Sequence, residues 1–195
     1  MIILDVETTG TNPEKHSLVS IGALDFAQPD IGFSEECRIW DGAHIDEAAL
    51  LINGFSRESL VDQHKKTERE VVVLFLEWLE QRDDMIILGQ NVFFDVEFVK
   101  EASNRGGLAN TLSRRIVDMH SVCFAHMIRR GITPPTLNRK TALDSDRIME
   151  YVGIPPEPKP HKALNGALWE AEAFSRLLSN KNLLTQFSSF PIPWA

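Results

Sequence analysis

The first ten residues, MIILDVETTG at positions 1–10, decide the fold of this 195-residue chain. Residues 1–6 are apolar and β-branched apart from Asp5, which predicts a buried strand. Asp5 and Glu7 lie two residues apart, and the period of two along a strand points both carboxylates to the same face. Two acidic side chains on one face of a strand repel each other, and a divalent cation is the usual way to offset that repulsion. The stretch therefore predicts a metal site, although a strand that ended at Val6 would leave Glu7 merely exposed.

Beyond this strand, the apolar pattern predicts two further strands and then helices that alternate with short strands. Strands are predicted at residues 1–6, 18–26, 36–40, 85–88 and 115–117, and helices at residues 46–52, 67–81, 95–104, 119–130, 143–152 and 163–178. Residues 133–140 are predicted to form a polar loop. This order indicates an α/β domain with a mixed sheet, antiparallel at its start and parallel later. We assign residues 1–181 to this domain and residues 182–195 to a C-terminal tail.

Composition excludes several other classes of protein. The chain is 43% hydrophobic and 25% charged, which is typical of a globular domain. Its longest apolar run, residues 71–76, is far shorter than the ~20 residues that span a membrane, and Asp5 leaves no room for a signal-peptide core. The net charge of −8 argues against a general nucleic-acid coat. Cys37 and Cys123 lie far apart, as in a reduced intracellular protein, so we expect a cytoplasmic location.

Three further titratable residues stand at predicted junctions between elements. Asp95 begins a predicted helix, and helix capping would explain it alone, but not the amide of Asn91 and the two phenylalanines before it. Asp118 stands at a similar junction, where capping is the favoured explanation. His161 follows the proline-rich residues 154–160 and precedes the last predicted helix. A lone histidine is more often structural than catalytic, so these residues carry weight only as a set.

As a set, they resemble the DnaQ-like, DEDDh-type family of 3′–5′ exonucleases, which has the ribonuclease H-like fold. Residues 5–10, DVETTG, match its first motif, DxETTG. Residues 89–95, GQNVFFD, match its second motif of the HNxxFD type, with Gln90 where histidine is common. Residues 161–167, HKALNGA, line up with its third motif, HxALxDA, and residues 116–118 resemble its intermediate aspartate. The resemblance covers roughly residues 1–178 and implies a ribonuclease H-like mixed β-sheet flanked by helices.

The resemblance implies a metal-dependent 3′–5′ exonuclease that acts on single-stranded nucleic-acid 3′ ends and releases nucleoside monophosphates. Two divalent ions, Mg²⁺ or Mn²⁺, are expected, with Asp5, Glu7 and Asp95 among their ligands. His161 would be the general base that deprotonates the attacking water. The residues implied to contact the terminal nucleotide are Thr8, Thr9, Gly10, Asn91 and Phe94.

One position departs from the family pattern, because Gly166 replaces the last metal-binding aspartate. The missing carboxylate predicts that one ion binds more weakly than the other and that cleavage slows. Three outcomes are open. Glu170, one turn further along the same helix face, could replace the ligand; the site could be lost; or Asn165 or water could fill the position. Glu172 is rotated far from that face and is a weak candidate.

The sequence leaves three functions open. The chain could be an active exonuclease with an altered metal site, a catalytically impaired nuclease-derived module that binds nucleic acid, or a subunit that works through a partner. Phe190 and Trp194 in the tail are candidate partner contacts. A homodimer and a polymerase-like partner both remain open, and so do DNA, RNA and short oligonucleotides as substrates.

Overall fold

The computed structural model describes residues 1–109 and 112–195, and it shows a mixed sheet flanked by helices. The strands are β1 (Ile2–Thr8), β2 (Leu18–Asp25), β3 (Gly32–Arg38), β4 (Lys66–Thr67), β5 (Ile87–Gly89), β6 (Val117–Asp118), β7 (Thr136–Leu137) and β8 (Lys140–Thr141). The helices are α1 (Glu47–Asn53), α2 (Arg57–Leu60), α3 (Glu68–Glu80), α4 (Phe93–Arg105), α5 (Met119–Arg129), α6 (Ser145–Val152), α7 (Ala163–Ser179) and a 3₁₀ turn (Thr185–Phe187). Within the described residues, no helix is both long and apolar enough to cross a bilayer.

The main sheet has the strand order β4-β3-β2-β1-β5-β6. Strands β1, β2 and β3 pair antiparallel, whereas β5 and β6 continue from β1 in parallel. The predicted fold class, a ribonuclease H-like mixed sheet flanked by helices, is confirmed. The parallel part brings the carboxyl ends of β1, β5 and β6 to one edge, where functional side chains collect in open α/β sheets.

The two faces of β1 pack into two different cores. Ile2 and Leu4 lie in the core formed with α3 and α4, whereas Ile3 lies in the core formed with α5, α6 and α7. Because side chains alternate along a strand, Asp5 and Glu7 share the face of Ile3 and point toward α7. The period of two in the sequence therefore places both carboxylates as predicted.

The helix predicted at residues 67–81 is present as α3, and a capping box begins it. The Thr67 hydroxyl accepts the Glu70 N–H at 3.2 Å, and the Glu70 carboxylate accepts the Thr67 N–H at 2.7 Å. This capping box satisfies two backbone donors that the first helical turn leaves free.

The predicted loop at residues 133–140 is instead occupied in part by a two-stranded hairpin. Thr136 pairs with Thr141, and Leu137 with Lys140. The two turn residues between the strands, Asn138 and Arg139, both have left-handed φ values, +50° and +65°. Such a turn matches the twist of the flanking strands, but arginine gives no sequence signal for it, unlike the usual Asn-Gly pair. The prediction of irregular structure here was wrong for that reason.

Residues 182–195 pack against the end of α7 through two buried charged side chains. Arg176 is fully buried and pairs with Glu172 at 2.7 Å. The other Glu172 oxygen accepts two backbone N–H groups at 2.8 and 2.9 Å, those of Leu183 and Leu184. Arg176 also donates at 2.9–3.1 Å to three backbone carbonyls, those of Val152, Phe187 and Phe190. These contacts fasten the tail to the rest of the chain.

Candidate active site

The first turns of α7 lie directly on β1 and β2 because two glycines leave room for them. Gly22 on β2 pairs with Asp5 on β1, and a Cβ atom at Gly22 would overlap the backbone of Ala163. A Cβ atom at Gly166 would lie 2.8 Å from Asp5 Cγ and closer still to its carboxylate oxygen. The residue that departs from the motif is therefore in contact with the first predicted metal ligand.

Four acidic side chains meet beneath α7, and we call Asp5, Glu7, Asp95 and Glu170 the acidic cluster. Asp95 comes from the first turn of α4, and its Oδ1 accepts the N–H of Val6 at 2.9 Å, which ties it to the strand between the other two ligands. Glu7, Asp95 and Glu170 are only 8%, 4% and 6% exposed. The predicted ligands are thus brought together, and Glu170 joins them.

Burial and the charges of neighbouring carboxylates raise the pKa of every carboxyl in the acidic cluster. Burial raises the pKa of Asp5 well above its usual range, and the charges of Glu170 and Asp95 raise it further. Burial, followed by the charge of Glu157, raises the pKa of Glu7 to about 8. The pKa values of Asp95 and Glu170 are also raised, mainly by burial. Such a cluster favours a bound cation or bound protons.

Unsatisfied acceptor atoms point to the same chemistry. Among the described residues, Glu170 Oε2 and Gln90 Oε1 are buried without a hydrogen-bond partner. Both residues line a cavity of about 190 Å³ together with Asp5, Glu7 and His161. Carboxylate and amide oxygens are the ligands that Mg²⁺ and Mn²⁺ prefer, so this donor set fits a divalent cation.

The donors do not yet enclose one position for an ion. Across residues 1–109 and 112–195, no three carboxylate, histidine or cysteine side chains are arranged to hold a metal. In this conformation, Asp5, Glu7 and Asp95 therefore do not surround a single ion position. One reason is that Asp95 Oδ1 accepts the N–H of Val6.

His161 lines the same cavity, on a loop that hydrogen bonds hold in place. Its N–H donates to the carbonyl of Ile52 at 3.0 Å, and its Nδ1 lies 3.6 Å from Glu157 Oε2. Sequence reasoning missed Glu157 and Gln90 as lining residues of the cavity. The signals in the sequence were Glu157, a single carboxylate among four prolines, and Gln90, a glutamine at a motif position.

The first three predicted nucleotide contacts have internal roles in the described structure. Thr9 is fully buried, and its hydroxyl donates to the carbonyl of His44 at 2.7 Å. The Thr8 hydroxyl donates to the carbonyl of Gly10 at 2.7 Å. These bonds shape the turn after β1, and Thr8, Thr9 and Gly10 do not line the cavity of the acidic cluster.

The other two predicted contacts, Asn91 and Phe94, lie at the start of α4. Asn91 is exposed with a left-handed φ of +53°, and Phe94 packs on another ring of the helix with centroids 4.7 Å apart. Asp118 does not cap its own helix as expected. Its Oδ2 instead accepts the N–H of Val92 at 3.2 Å, so that it braces the turn that carries Asn91.

A second cavity of about 390 Å³ adjoins the first through Glu7 and His161. Asn53, Phe55 and Lys65 line it, and the Lys65 ammonium lies 4.8 Å from the Phe55 ring centroid. Its volume lies within the range of about 300–1,000 Å³ that is typical of small-molecule sites. Sequence reasoning placed residues 53–54 directly after the predicted helix at residues 46–52 and did not identify this cavity.

Comparisons with known proteins agree with the motifs. Residues 2–174 match the RNase_T family model, described as Exonuclease. The chain is 30% identical over 150 residues to the DNA polymerase III subunit epsilon of Buchnera aphidicola, which covers 74% of this chain and 57% of that protein. It is 26% identical over 190 residues to the 3′-5′ DNA exonuclease Cap18 of Escherichia coli, which covers 94% of this chain and 95% of that protein.

A solved structure shares the fold. The nuclease domain of 3′hExo, described as a DEDDh family member bound to rAMP, has a TM-score of 0.71 at 14% identity, covering 94% of this chain and 93% of that one. The chain spans little more than half of the polymerase subunit but almost all of Cap18.

Proposed function

The chain belongs to the exonuclease family whose model it matches, and we propose that it is a metal-dependent 3′–5′ exonuclease of single-stranded DNA that releases nucleoside monophosphates. The acidic cluster beside His161 carries this proposal, because hydrolysis of a phosphodiester needs cations and a base at one place. The choice of DNA is supported by Cap18, a relative of nearly the same length that is named a 3′-5′ DNA exonuclease. A polymerase-like partner and a cytoplasmic location stay predictions.

The residues proposed to hold two Mg²⁺ or Mn²⁺ ions are Asp5, Glu7, Asp95 and Glu170. When bound, the ions would lower the pKa of water and neutralise charge on the phosphate. Glu170 is proposed to supply the carboxylate that Gly166 lacks, because its Oε2 has no other partner among the described residues. The raised pKa values mean that these acids release protons on binding an ion, so ion affinity should increase with pH.

Other side chains would orient the substrate and move its proton. His161, which lines both cavities, is proposed to accept the proton of the attacking water. Phe55 offers a ring on which the terminal base can stack, and Lys65 offers a positive charge to a phosphate. Asn53 is fixed by donating to the carbonyl of Thr8 at 3.0 Å. Single-stranded ends suit this cavity because their terminal base is free to unstack.

A module that binds 3′ ends without cleaving them is the second candidate, and Gly166 favours it. The two candidates differ in one assay, in which 5′-labelled single-stranded DNA is incubated with Mg²⁺, with Mn²⁺ or with EDTA. If the chain is an exonuclease, the DNA should shorten stepwise from its 3′ end, and this activity should be lost in Glu7→Gln and His161→Gln. Binding of the DNA without shortening in either metal would overturn the exonuclease and support the binding module.

A further inference from the structure

Glu157 touches the candidate base His161 although it belongs to none of the exonuclease motifs. Its side chain is 11% exposed, and its Oε2 lies 3.6 Å from His161 Nδ1. Its Oε1 accepts the N–H of Lys162 at 3.1 Å. One carboxylate thus contacts both the ring of His161 and the backbone that follows it, and both side chains line the cavity of the acidic cluster.

The loop that carries Glu157 is anchored at several points, and these contacts hold Glu157 beside His161. Trp169 Nε1 donates to the carbonyl of Pro155 at 2.9 Å before the glutamate, and His161 N donates to the carbonyl of Ile52 at 3.0 Å after it. A Cβ atom at Gly54 would lie 2.7 Å from Pro160 Cβ, so the loop packs closely on the end of α1.

The identity of the ring nitrogen that faces the carboxylate decides what the histidine can do. A neutral imidazole carries one proton, on Nδ1 or on Nε2, and the partner of one nitrogen fixes the state of the other. A carboxylate is an acceptor only, so Glu157 favours the ring form with its proton on Nδ1. The free lone pair then lies on Nε2, where it can accept a proton.

We propose that Glu157 is a positioning residue for His161, which holds the ring with Nδ1 protonated and leaves Nε2 as the base. Its catalytic consequence rests on the proposed exonuclease function. The 3.6 Å separation exceeds a hydrogen bond, and catalytic contacts of this kind commonly shorten when substrate binds.

The surroundings of Glu157 are mostly acidic. Its charge acts on Asp5, Glu7 and Glu170 in the cluster, and Asp146 on α6 acts on it in turn. Holding the loop does not require a charged side chain, because a neutral amide could also accept the Lys162 N–H. The substitution Glu157→Gln therefore separates the two roles: it keeps that acceptor and removes the charge beside Nδ1.

The decisive measurement is the tautomer of His161 in the metal-free protein. Long-range ¹H–¹⁵N correlation spectra at about pH 8, above the ordinary histidine pKa of about 6.5, distinguish a protonated ring nitrogen from a bare one. The His161 signals are assigned from their loss in His161→Gln. We expect a protonated Nδ1 and a bare Nε2 in the wild type. We expect Glu157→Gln to reverse them, because its amide NH₂ would face Nδ1.

Kinetics give the second readout. Glu157→Gln should lower kcat on single-stranded DNA by about 10²–10⁴-fold, with KM within about twofold, as for a base placed in the wrong tautomer. It should lower kcat no further in the His161→Gln background, because the two residues act as one unit. The control is Glu150→Gln, an exposed glutamate on α6, which should change neither readout.

A wild-type His161 protonated on Nε2 would overturn the proposal. So would a tautomer that Glu157→Gln leaves unchanged while the melting temperature stays that of the wild type. If the wild type binds DNA but does not cleave it, the exonuclease function fails, yet the spectra still decide the role of Glu157.

Discussion

Replacing Glu7 by glutamine should stabilise the metal-free protein, and the gain should grow as the pH rises. Burial and the charge of Glu157 raise the pKa of Glu7 from 4.5 to about 8 in the folded protein. The folded state therefore binds more protons than the unfolded state between these two values, and wild-type stability falls as the pH rises through that range. Glutamine does not titrate, so the Glu7→Gln variant escapes this part of the loss.

The magnitude follows from the two pKa values of Glu7. Each pH step of one between them removes about 1.4 kcal/mol, so the variant should gain roughly 3 kcal/mol on the wild type between pH 5 and pH 8. For a chain of this size, 1 kcal/mol corresponds to about 2–4 °C in melting temperature. The difference between the two melting temperatures should therefore widen by about 6–12 °C.

The assay is thermal unfolding of both proteins in EDTA at a series of pH values. Comparing the two proteins cancels groups that they share, such as His126, whose pKa is lowered by burial and by Arg130 and which acts with the opposite sign. Mn²⁺ should raise the melting temperature of the wild type more than that of Glu7→Gln, because the variant lacks one of the proposed ion ligands. An ion at 100 times its Kd stabilises the folded protein by about 2.7 kcal/mol. A difference in EDTA that stays constant or narrows with pH would refute the raised pKa of Glu7.

Three further substitutions test other parts of the structure. Glu170→Gln should lower cleavage at least about 10²-fold in either metal, because it removes a proposed ion ligand. It should leave the melting temperature in EDTA equal or higher, because it also removes a buried charge. Full activity would refute the role of Glu170 as a ligand. Arg176→Met should lower the free energy of unfolding by about 3–5 kcal/mol, measured by urea unfolding, because Glu172 is left charged and buried; a loss under about 1 kcal/mol would contradict this. Gly166→Asp should lower the melting temperature in EDTA, because the new Cβ overlaps the Asp5 carboxylate and the new carboxylate adds a like charge; an unchanged or higher value would show that the Asp5 side chain moves aside at little cost.

Two exposed positions supply the controls for these variants. Glu150→Gln removes a carboxylate of the same type from the surface of α6 and should leave cleavage unchanged. Arg57→Met breaks an exposed ion pair with Glu47, which should alter stability by less than about 1 kcal/mol.

The features that the sequence predicted depend on residues close together in the chain. The period of two in β1 is enough to place Asp5 and Glu7 on one face, and Thr67 with Glu70 is enough to start α3. The motif match adds Asp95, and the structure confirms that it reaches β1, through the Val6 N–H.

The features that the sequence did not predict depend on contacts between distant segments. The place of Glu157 depends on a loop that packs on α1 although it is far from α1 in the sequence, and nothing near Glu157 in the sequence indicates that contact. Thr9 stands within the most informative motif, yet its hydroxyl is used by the carbonyl of His44, 35 residues away. A motif fixes where its residues lie, but the rest of the chain decides which atoms are free for a ligand.

Gly166 also shows that a motif alone does not determine which groups form the site. By comparison with the family motif, glycine at this position removes a carboxylate from the metal site. In the structure, its missing side chain leaves space that the Asp5 carboxylate occupies, and Glu170, one turn further on, lies 6% exposed beside Asp95 and Gln90. The Glu170 carboxylate is thus present under α7 although the motif has lost one, while the present position of the Asp5 carboxylate requires that residue 166 have no side chain. Gly166 and Asp5 are therefore coupled: an aspartate at 166 would displace the Asp5 carboxylate from the space it now fills, so restoring the motif residue alone should disturb the cluster.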